Sequence, residues 1–424
     1  MPPLHRREFL GTSTCGLTAA LATTSTLIAQ SELPRSLEPP APTGPAPVLD
    51  SLFLTWQRDP TTTITIQWIG VEVPTETVPI HYLHTRGNAW LTAKTITKPF
   101  TGTDLKVFRC ELSGLMPGSD YLFRVGRNSP LFKFHTMPAT ATNIITFVSG
   151  GDSGVNPHAI NTNILAAKQD PAFALIGGDL AYDNGTSPRT FLAFLQNYSK
   201  YMVDSQGRLI PMLACIGNHE VRGGYAGKRS DSPSFLSVFD GLFRDTTFAS
   251  LDFGDYLSLV LLDTGHIASI PGEQTHWLAQ TLAERETRQH LIVANHVPAY
   301  PSFRTPEGTG GTGEGNRLFW SPLFERHGVD AVLEHHDHTF KRTYPLIDGH
   351  RDRNGVVYLG DGSWGQLRPP VNPEKRPYLA TVGQAYHMTV HRLEGDQRFH
   401  VAIEESGKLA DVCGTFGKRP ARKG

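Results

Sequence analysis

Five short segments carry the side chains best suited to chemistry: GGDSG at 150–154, GGDLAY at 177–182, GNHE at 217–220, VANH at 293–296 and HHDH at 335–338. Together they offer two carboxylates (Asp152, Asp179), a phenol (Tyr182), a carboxamide (Asn218) and three imidazoles (His296, His336, His338). That is a donor set for two metal ions. Carboxylate and phenolate oxygens are hard and suit Fe(III). Imidazole, carboxamide and carboxylate together suit a divalent ion such as Zn, Fe or Mn. Asp179 lies centrally and has two oxygens, so it is expected to bridge the ions. Tyr182 follows closely enough for its ring to return to the same metal. With a bridging hydroxide, such a pair would keep a small positive charge, suited to a phosphate anion.

Each segment follows an apolar run, read as a strand: 144–149, 172–176, 209–216, 291–294 and 329–333, with further runs at 257–262 and 356–359. Helical spacing is expected over 159–169, 191–202 and 274–286, the last with Trp277, Leu278 and Leu282 on one side. Apolar runs alternating with helices imply a largely buried sheet, and such sheets present polar ligands at strand carboxyl ends. A single aspartate or histidine at a strand end is ordinarily a turn residue. Five such ends supplying chelating groups are hard to explain by core packing.

The chain has 424 residues and a net charge of −1. The length allows two domains, and the balance of charge argues against nucleic acid or an anionic membrane as partner. The short basic stretch Lys418–Lys423 reads as a solvated end. Arg6-Arg7-Glu8-Phe9-Leu10 and the mildly apolar 16–29 read as a twin-arginine export signal over 1–29, too short and diluted to be a stable membrane anchor. Bacterial export to the periplasm or medium follows as the expectation. Without Cys15 in that leader, Cys110, Cys215 and Cys413 remain, with no CxxC to hold a metal. Six prolines mark 30–47 as a spacer. Strand-like runs at 51–57, 61–69, 80–85, 107–112, 121–126 and 131–136 then suggest a β-sandwich over 48–138. In the 61–69 run, Ile64, Ile66 and Trp68 share one face, Thr65 and Gln67 the other. Leu112 to Tyr121, with Pro117-Gly118 between, has the form of a tyrosine corner and resembles a fibronectin type III domain.

GDSG, GDLAY, GNHE, VANH and HHDH, in that order, resemble the five motifs of the purple acid phosphatases, within the metallophosphoesterase superfamily. The N-terminal sandwich is similar to the extra domain of the plant-type members, through Leu54-Thr55-Trp56-Gln57 and the run 65–68. The helix start from Pro271-Gly272-Glu273-Gln274 to Trp277-Leu278 also matches. The resemblance implies an α/β fold, a metallophosphoesterase-type four-layer αββα sandwich over 143–405 behind an all-β fibronectin III-like domain, with a tail over 406–424. It implies Fe(III) held by Asp152, Asp179, Tyr182 and His338, and a second divalent metal (Zn, Fe or Mn) held by Asp179, Asn218, His296 and His336. His219 would stand beside the substrate. The implied activity is an acid phosphatase hydrolysing small phosphate monoesters by in-line attack of a metal-bound hydroxide.

The sequence departs from that pattern in two places. His335 stands where the family has glycine, and is expected to turn away from the metals. The segment Pro301–Pro306 lacks the histidines that plant members carry there, so Arg304, through its planar fork, or Tyr300 is the candidate substrate clamp. The glycine-rich 307–316 stretch that follows reads as a mobile loop beside His296, a lid or plain surface. Two other functions use the same residues: a phosphodiesterase or nucleotide-cleaving enzyme, and a surface binding protein whose metal site is structural.

Overall fold

The computed structural model describes residues 47–72, 78–360 and 362–417. The expected export signal, nearly all of the proline-rich spacer and the end of the tail lie outside the described residues. Residues 53–135 form two antiparallel four-stranded sheets. One has the spatial order Phe53–Thr55, Ile64–Gly70, Lys106–Leu112, Ile96–Pro99; the other runs Leu91–Ala93, Ile80–His84, Asp120–Val125, Phe132–His135. The tyrosine corner is present, since the Met116 N–H donates to the Tyr121 hydroxyl at 2.8 Å. The strands Leu91–Ala93 and Ile96–Pro99 carry no alternation in sequence; they are short, and Leu91 and Ile96 are exposed.

The polar face of Ile64–Gly70 is as buried as its apolar face, because it docks on the helix Pro233–Phe239. Gln67 Nε2 donates to the Val238 carbonyl at 2.9 Å and Arg109 Nε donates to Gln67 Oε1 at 2.7 Å. Lys98 and Arg109 both reach Asp240 at 2.5 Å. Burying polar groups is costly unless they are paired, and here the Gln67, Lys98 and Arg109 side chains all find partners on Val238 and Asp240 across the junction. Trp56 adds edge-on contacts with Phe173 and Phe253, centroids 5.9 and 5.7 Å away.

From Ile145 onward two larger sheets face each other. The first has the order Met212–Ala214, Ala174–Ile176, Ile145–Gly150, His387–Glu394, Gln397–Glu404, Leu409–Phe416. The second has the order Ala249–Phe253, Leu257–Leu262, His290–Asn295, Ala331–Glu334, Val357–Gly360, Phe340–Thr343, Leu379–Gly383. The pattern of Leu257–Leu262 explains the layering. Leu257, Leu259 and Leu261 join the core between the sheets, whereas Val260 and Leu262 join a second core with Leu278 and Leu282 of the helix Glu273–Ala283 and Phe324 of Ser321–Arg326. On the far side Pro157–Ala167 and Pro188–Tyr201 cover the first sheet. A strand buried on both faces has no polar side to spare, which is why these runs read as continuous apolar stretches. The result is the four-layer αββα arrangement. Ile145–Gly150 pairs in parallel with Ala174–Ile176, which pairs in parallel with Met212–Ala214. His290–Asn295, Ala331–Glu334 and Val357–Gly360 are likewise parallel. All the motif-bearing strands therefore end on one rim. Cys110 and Cys215 are buried free thiols, the former pushed up to about 12 by burial.

Candidate metal centre

The chain leaving each of these strands turns sharply, and the turn residue is usually the donor itself. Asp152, Asp179, Tyr182, His336 and His338 have φ of 58, 51, 60, 76 and 60°. Left-handed backbone at a residue other than glycine costs about 1–3 kcal/mol and persists only where surrounding contacts impose it. Glu220 supplies part of that imposition. Its carboxylate is buried and accepts the N–H groups of Gly217 and Asp179, each at 2.8 Å, and of Leu180 at 2.7 Å. Asp152 Oδ2 accepts the His336 N–H at 2.8 Å, which ties the first sheet to the second.

The donors fall into two groups that share Asp179: Asp179 with His296 and His336, and Asp152 with Asp179 and His338. Around the first, His296 Nε2 lies 3.1 Å from Asn218 Oδ1, 3.0 Å from His336 Nδ1 and 3.2 Å from Asp179 Oδ2. His296 Nδ1 faces the Gly177 carbonyl at 2.9 Å, an arrangement that puts the ring proton on Nδ1 and the lone pair on Nε2. His296 Nε2 thus has three donor atoms about 3 Å away, the spacing of ligands around a single ion with metal–ligand bonds near 2 Å. Asp179 Oδ2 is buried without a hydrogen-bond donor, whereas Oδ1 accepts the His219 N–H at 2.8 Å. Around the second group, Tyr182 Oη lies 3.2 Å from Asp152 Oδ1 and 3.0 Å from His338 Nε2, and His338 Nε2 lies 2.9 Å from Asp152 Oδ1. An unsatisfied buried carboxylate oxygen amid converging donor atoms fits a cation.

The electrostatics agree. Burial opposes the Asp179 charge, but His296, His219 and His336 outweigh it and hold the carboxyl well below its usual range. Burial likewise disfavours the His296 imidazolium, and the Asp179 and Asp152 carboxylates reverse this, raising it to about 9. Burial, reinforced by Asp152, pushes the Tyr182 phenol well up, so its phenolate form requires a metal.

Outside the donors, several expectations change. His335 is buried beneath the rim, with Nδ1 on the Asn295 carbonyl at 2.9 Å, as its turned-away reading required. It fills the space over Gly177, where a Cβ would sit 1.8 Å from the ring. Tyr300 is not at the site: it is buried against Tyr358 and Tyr378 in the outer core, centroids 4.6 and 5.3 Å away, because the apolar run it ends continues into that core. Arg304 is beside the site, but Nη1 already donates to the His336 carbonyl at 2.6 Å and to Asp337 at 2.7 Å. Nη2 and Nε are what it offers an anion. His219, 32 % exposed, pairs Nδ1 with Asn184 and leaves Nε2 3.8 Å from Asp179 Oδ2.

The glycine-rich stretch is not a free-standing loop. Arg317 donates to the carbonyls of Ala299, Thr312 and Pro306, and a Cβ on Gly313 would lie 2.1 Å from the Pro298 carbonyl. The glycine allows the loop to lie directly on the backbone that follows His296. With Tyr225, Ile270, Val297, Arg304 and His336 it encloses a cavity of about 370 Å³. Tyr225 was not legible in the sequence. It follows GNHE at no recurrent spacing, and only the fold brings its hydroxyl to 3.4 Å from His336 Nε2.

Residues 147–340 match the family model of the calcineurin-like phosphoesterases, and residues 49–136 match that of the purple acid phosphatase N-terminal domain. The chain is 25 % identical over 286 residues to purple acid phosphatase 22 of Arabidopsis thaliana, covering 64 % of this chain and 62 % of that relative, so the match spans less than two thirds of the relative's length. It is 24 % identical over 417 residues to acid phosphatase type 7 of Homo sapiens, covering 89 % and 93 % of the two chains. Among solved structures, a purple acid phosphatase from yellow lupin seeds superposes with a TM-score of 0.70 at 17 % identity, over 88 % of this chain and 74 % of that one. A structure titled PhoD gives 0.61 at 12 % identity, over 89 % and 92 %. Matched in tandem, the two models assign residues 147–340 to the calcineurin-like phosphoesterases and residues 49–136 to the purple acid phosphatase N-terminal domain.

Proposed function

We propose that the protein is a binuclear-metal phosphoesterase, an acid phosphatase acting on small phosphate monoesters. The observation that carries the reading is the buried, donor-free Oδ2 of Asp179 at the junction of two donor groups. On this reading Asp152, Asp179, Tyr182 and His338 hold Fe(III), while Asp179, Asn218, His296 and His336 hold a divalent ion, Zn, Fe or Mn. Asp179 is the residue that would serve both ions; its Oδ2 has no hydrogen-bond donor, whereas Oδ1 accepts the His219 N–H. When bound, the two ions supply Lewis acidity to the phosphoryl oxygens and a nucleophile at low pH.

The remaining steps belong to the chain. The exposed Nε2 of His219 faces the site and hydrogen-bonds the ester, passing a proton to the leaving alcohol. Asn184 holds the other ring nitrogen. Burial lowers the His219 imidazolium against the opposing pull of Asp179. Arg304, held by Asp337, supplies a fixed positive wall. Asp337 also accepts the N–H groups of Ser302 and Phe303 at 2.8 and 2.6 Å, so the segment after Tyr300 keeps its shape without the substrate.

Export follows from Arg6-Arg7, placing the enzyme in the periplasm or medium after folding. Among the described residues no helix is long and apolar enough to cross a membrane. Normal export of a chain with both arginines replaced by lysine would contradict this. The activity is tested with the metal-loaded protein and a matched pair, 4-nitrophenyl phosphate and its bis-ester. A higher kcat/KM on the monoester is expected. Preference for the diester would establish the phosphodiesterase alternative, and no turnover of either with both ions bound would favour a structural metal site.

A further inference from the structure

Tyr225 stands apart from every motif, yet its surroundings are built. The Ala226 N–H donates to the Gly265 carbonyl at 3.0 Å and the Gly227 N–H to the His266 carbonyl at 2.8 Å, which fastens the loop to the segment after Leu257–Leu262. The Tyr225 ring packs on His266, centroids 4.9 Å apart, and His266 is itself fixed by the Gly224 carbonyl and Thr264 hydroxyl, each at 2.9 Å. The ring is nevertheless 48 % exposed and lines the 370 Å³ cavity with Arg304 and His336.

The hydrogen-bond inventory determines what its hydroxyl can do. His336 Nδ1 faces His296 Nε2 at 3.0 Å, so Nδ1 is the nitrogen that would ligate an ion held with Asp179 and His296. A metal-ligating imidazole carries its proton on the other nitrogen and donates it outward. For His336 that nitrogen is Nε2, and its neighbour at 3.4 Å is the Tyr225 oxygen. One lone pair of the phenol is therefore an acceptor for a metal ligand. The phenol's own hydrogen has no protein acceptor among the described residues and opens into the cavity. Glu314, an anionic residue on the same wall, is engaged by the Gly310 N–H at 2.6 Å.

We propose that Tyr225 contacts the substrate directly, donating its hydroxyl hydrogen to a phosphoryl oxygen of an ester seated beside His336 while accepting the His336 Nε2–H. This rests on the phosphoesterase reading above. It adds a substrate-binding residue that also couples the ester to the divalent-ion end of the centre, and it places the ester's leaving group in the cavity walled by Ile270, Val297 and the 310–316 backbone.

The test compares the full-length, metal-loaded wild type with Tyr225→Phe, which keeps the ring and removes the hydroxyl. Metal content is measured by mass spectrometry, inorganic phosphate affinity by calorimetry and monoester turnover by steady-state kinetics. The expected result is unchanged metal content and thermal midpoint, with the phosphate Kd weakened about tenfold or more, as for one hydrogen bond to a charged group. kcat/KM falls at least as far. An unchanged phosphate Kd overturns the proposal. So does a weaker Kd that appears only together with loss of one ion, because the hydroxyl would then serve His336 alone. If the wild type turns over no phosphoester, the functional reading itself fails; an active wild type with an indifferent Tyr225→Phe sinks only the role of Tyr225.

Discussion

The two sheets meet at the rim with different chemistry. The strand ends of the first sheet bring Asp152, Asp179, Tyr182 and Asn218, all oxygen donors; those of the second bring His296, His336 and His338, all nitrogen donors. Neither edge is a complete site. Each donor group draws on both, Asp152 and Asp179 with His338, Asp179 with His296 and His336. The difference teaches that the centre is a clasp across the seam between sheets. The shared apolar core brings the edges together, and bound cations would join them. The same contrast separates two kinds of histidine. Those of the second sheet's rim face lone pairs. His387, His391 and His400 of the first sheet lie buried among serines and one another, Ser149 with His391 at 2.7 Å and His391 with His400 at 2.7 Å.

The comparison breaks most completely at Asp179, the one residue common to both groups. Asp179→Asn is expected to leave fewer than two ions per chain and to lower kcat/KM by about 10³-fold or more, the several kcal/mol that metal-ion catalysis supplies. Retention of both ions would mean that the groups do not share it. Next in size is the clasp itself. Chelation of both ions should lower the melting temperature by about 5–10 °C, from binding linkage spread over a chain of this length; an unchanged midpoint in calorimetry would show that the seam does not depend on them. Asn218→Ala removes one oxygen from the first edge. It should reduce divalent-ion occupancy with a loss of turnover of about 10–100-fold, while the Fe(III) end stays filled. Full activity would remove Asn218 from the ligand set.

The smallest effect concerns the buried histidines. Burial pushes His387 and His400 down to about 3, below an unfolded value of about 6.5. A depressed folded value means that the unfolded chain binds the proton first. The contribution of each is complete above about pH 6.5 and drains away as pH falls toward 3, about 3 kcal/mol per residue by pH 4.5. Urea midpoints at pH 7 and pH 4.5 should therefore differ less in His400→Gln than in the wild type. Equal acid losses would exclude His400 as a contributor.

Much of the site was legible because strand ends are written locally: an apolar run followed by Gly-Gly-Asp or Asn-His fixes both the strand and the donor beyond it. His335 was set aside on the family pattern, which has glycine at that position. What was not legible depends on contacts across the fold. Arg304 is tethered by Asp337 from another loop, Glu220 carries three backbone N–H groups that no spacing announces, and Tyr225 meets His336 only because two sheets close. Tyr300 looked available and is core, since nothing near it in sequence reveals Tyr358 and Tyr378. In the sandwich, Thr65 and Gln67 alternate like a solvent face and are buried by the helix Pro233–Phe239.

The central claim is two unequal ions joined at Asp179, with Tyr182 at the Fe(III) end. Metal analysis together with a visible absorption spectrum tests it most directly. The account predicts two ions per chain, one of them iron, and a tyrosinate-to-Fe(III) band that disappears in Tyr182→Phe. A colourless protein that holds only zinc or manganese, or a band that survives Tyr182→Phe, would contradict it.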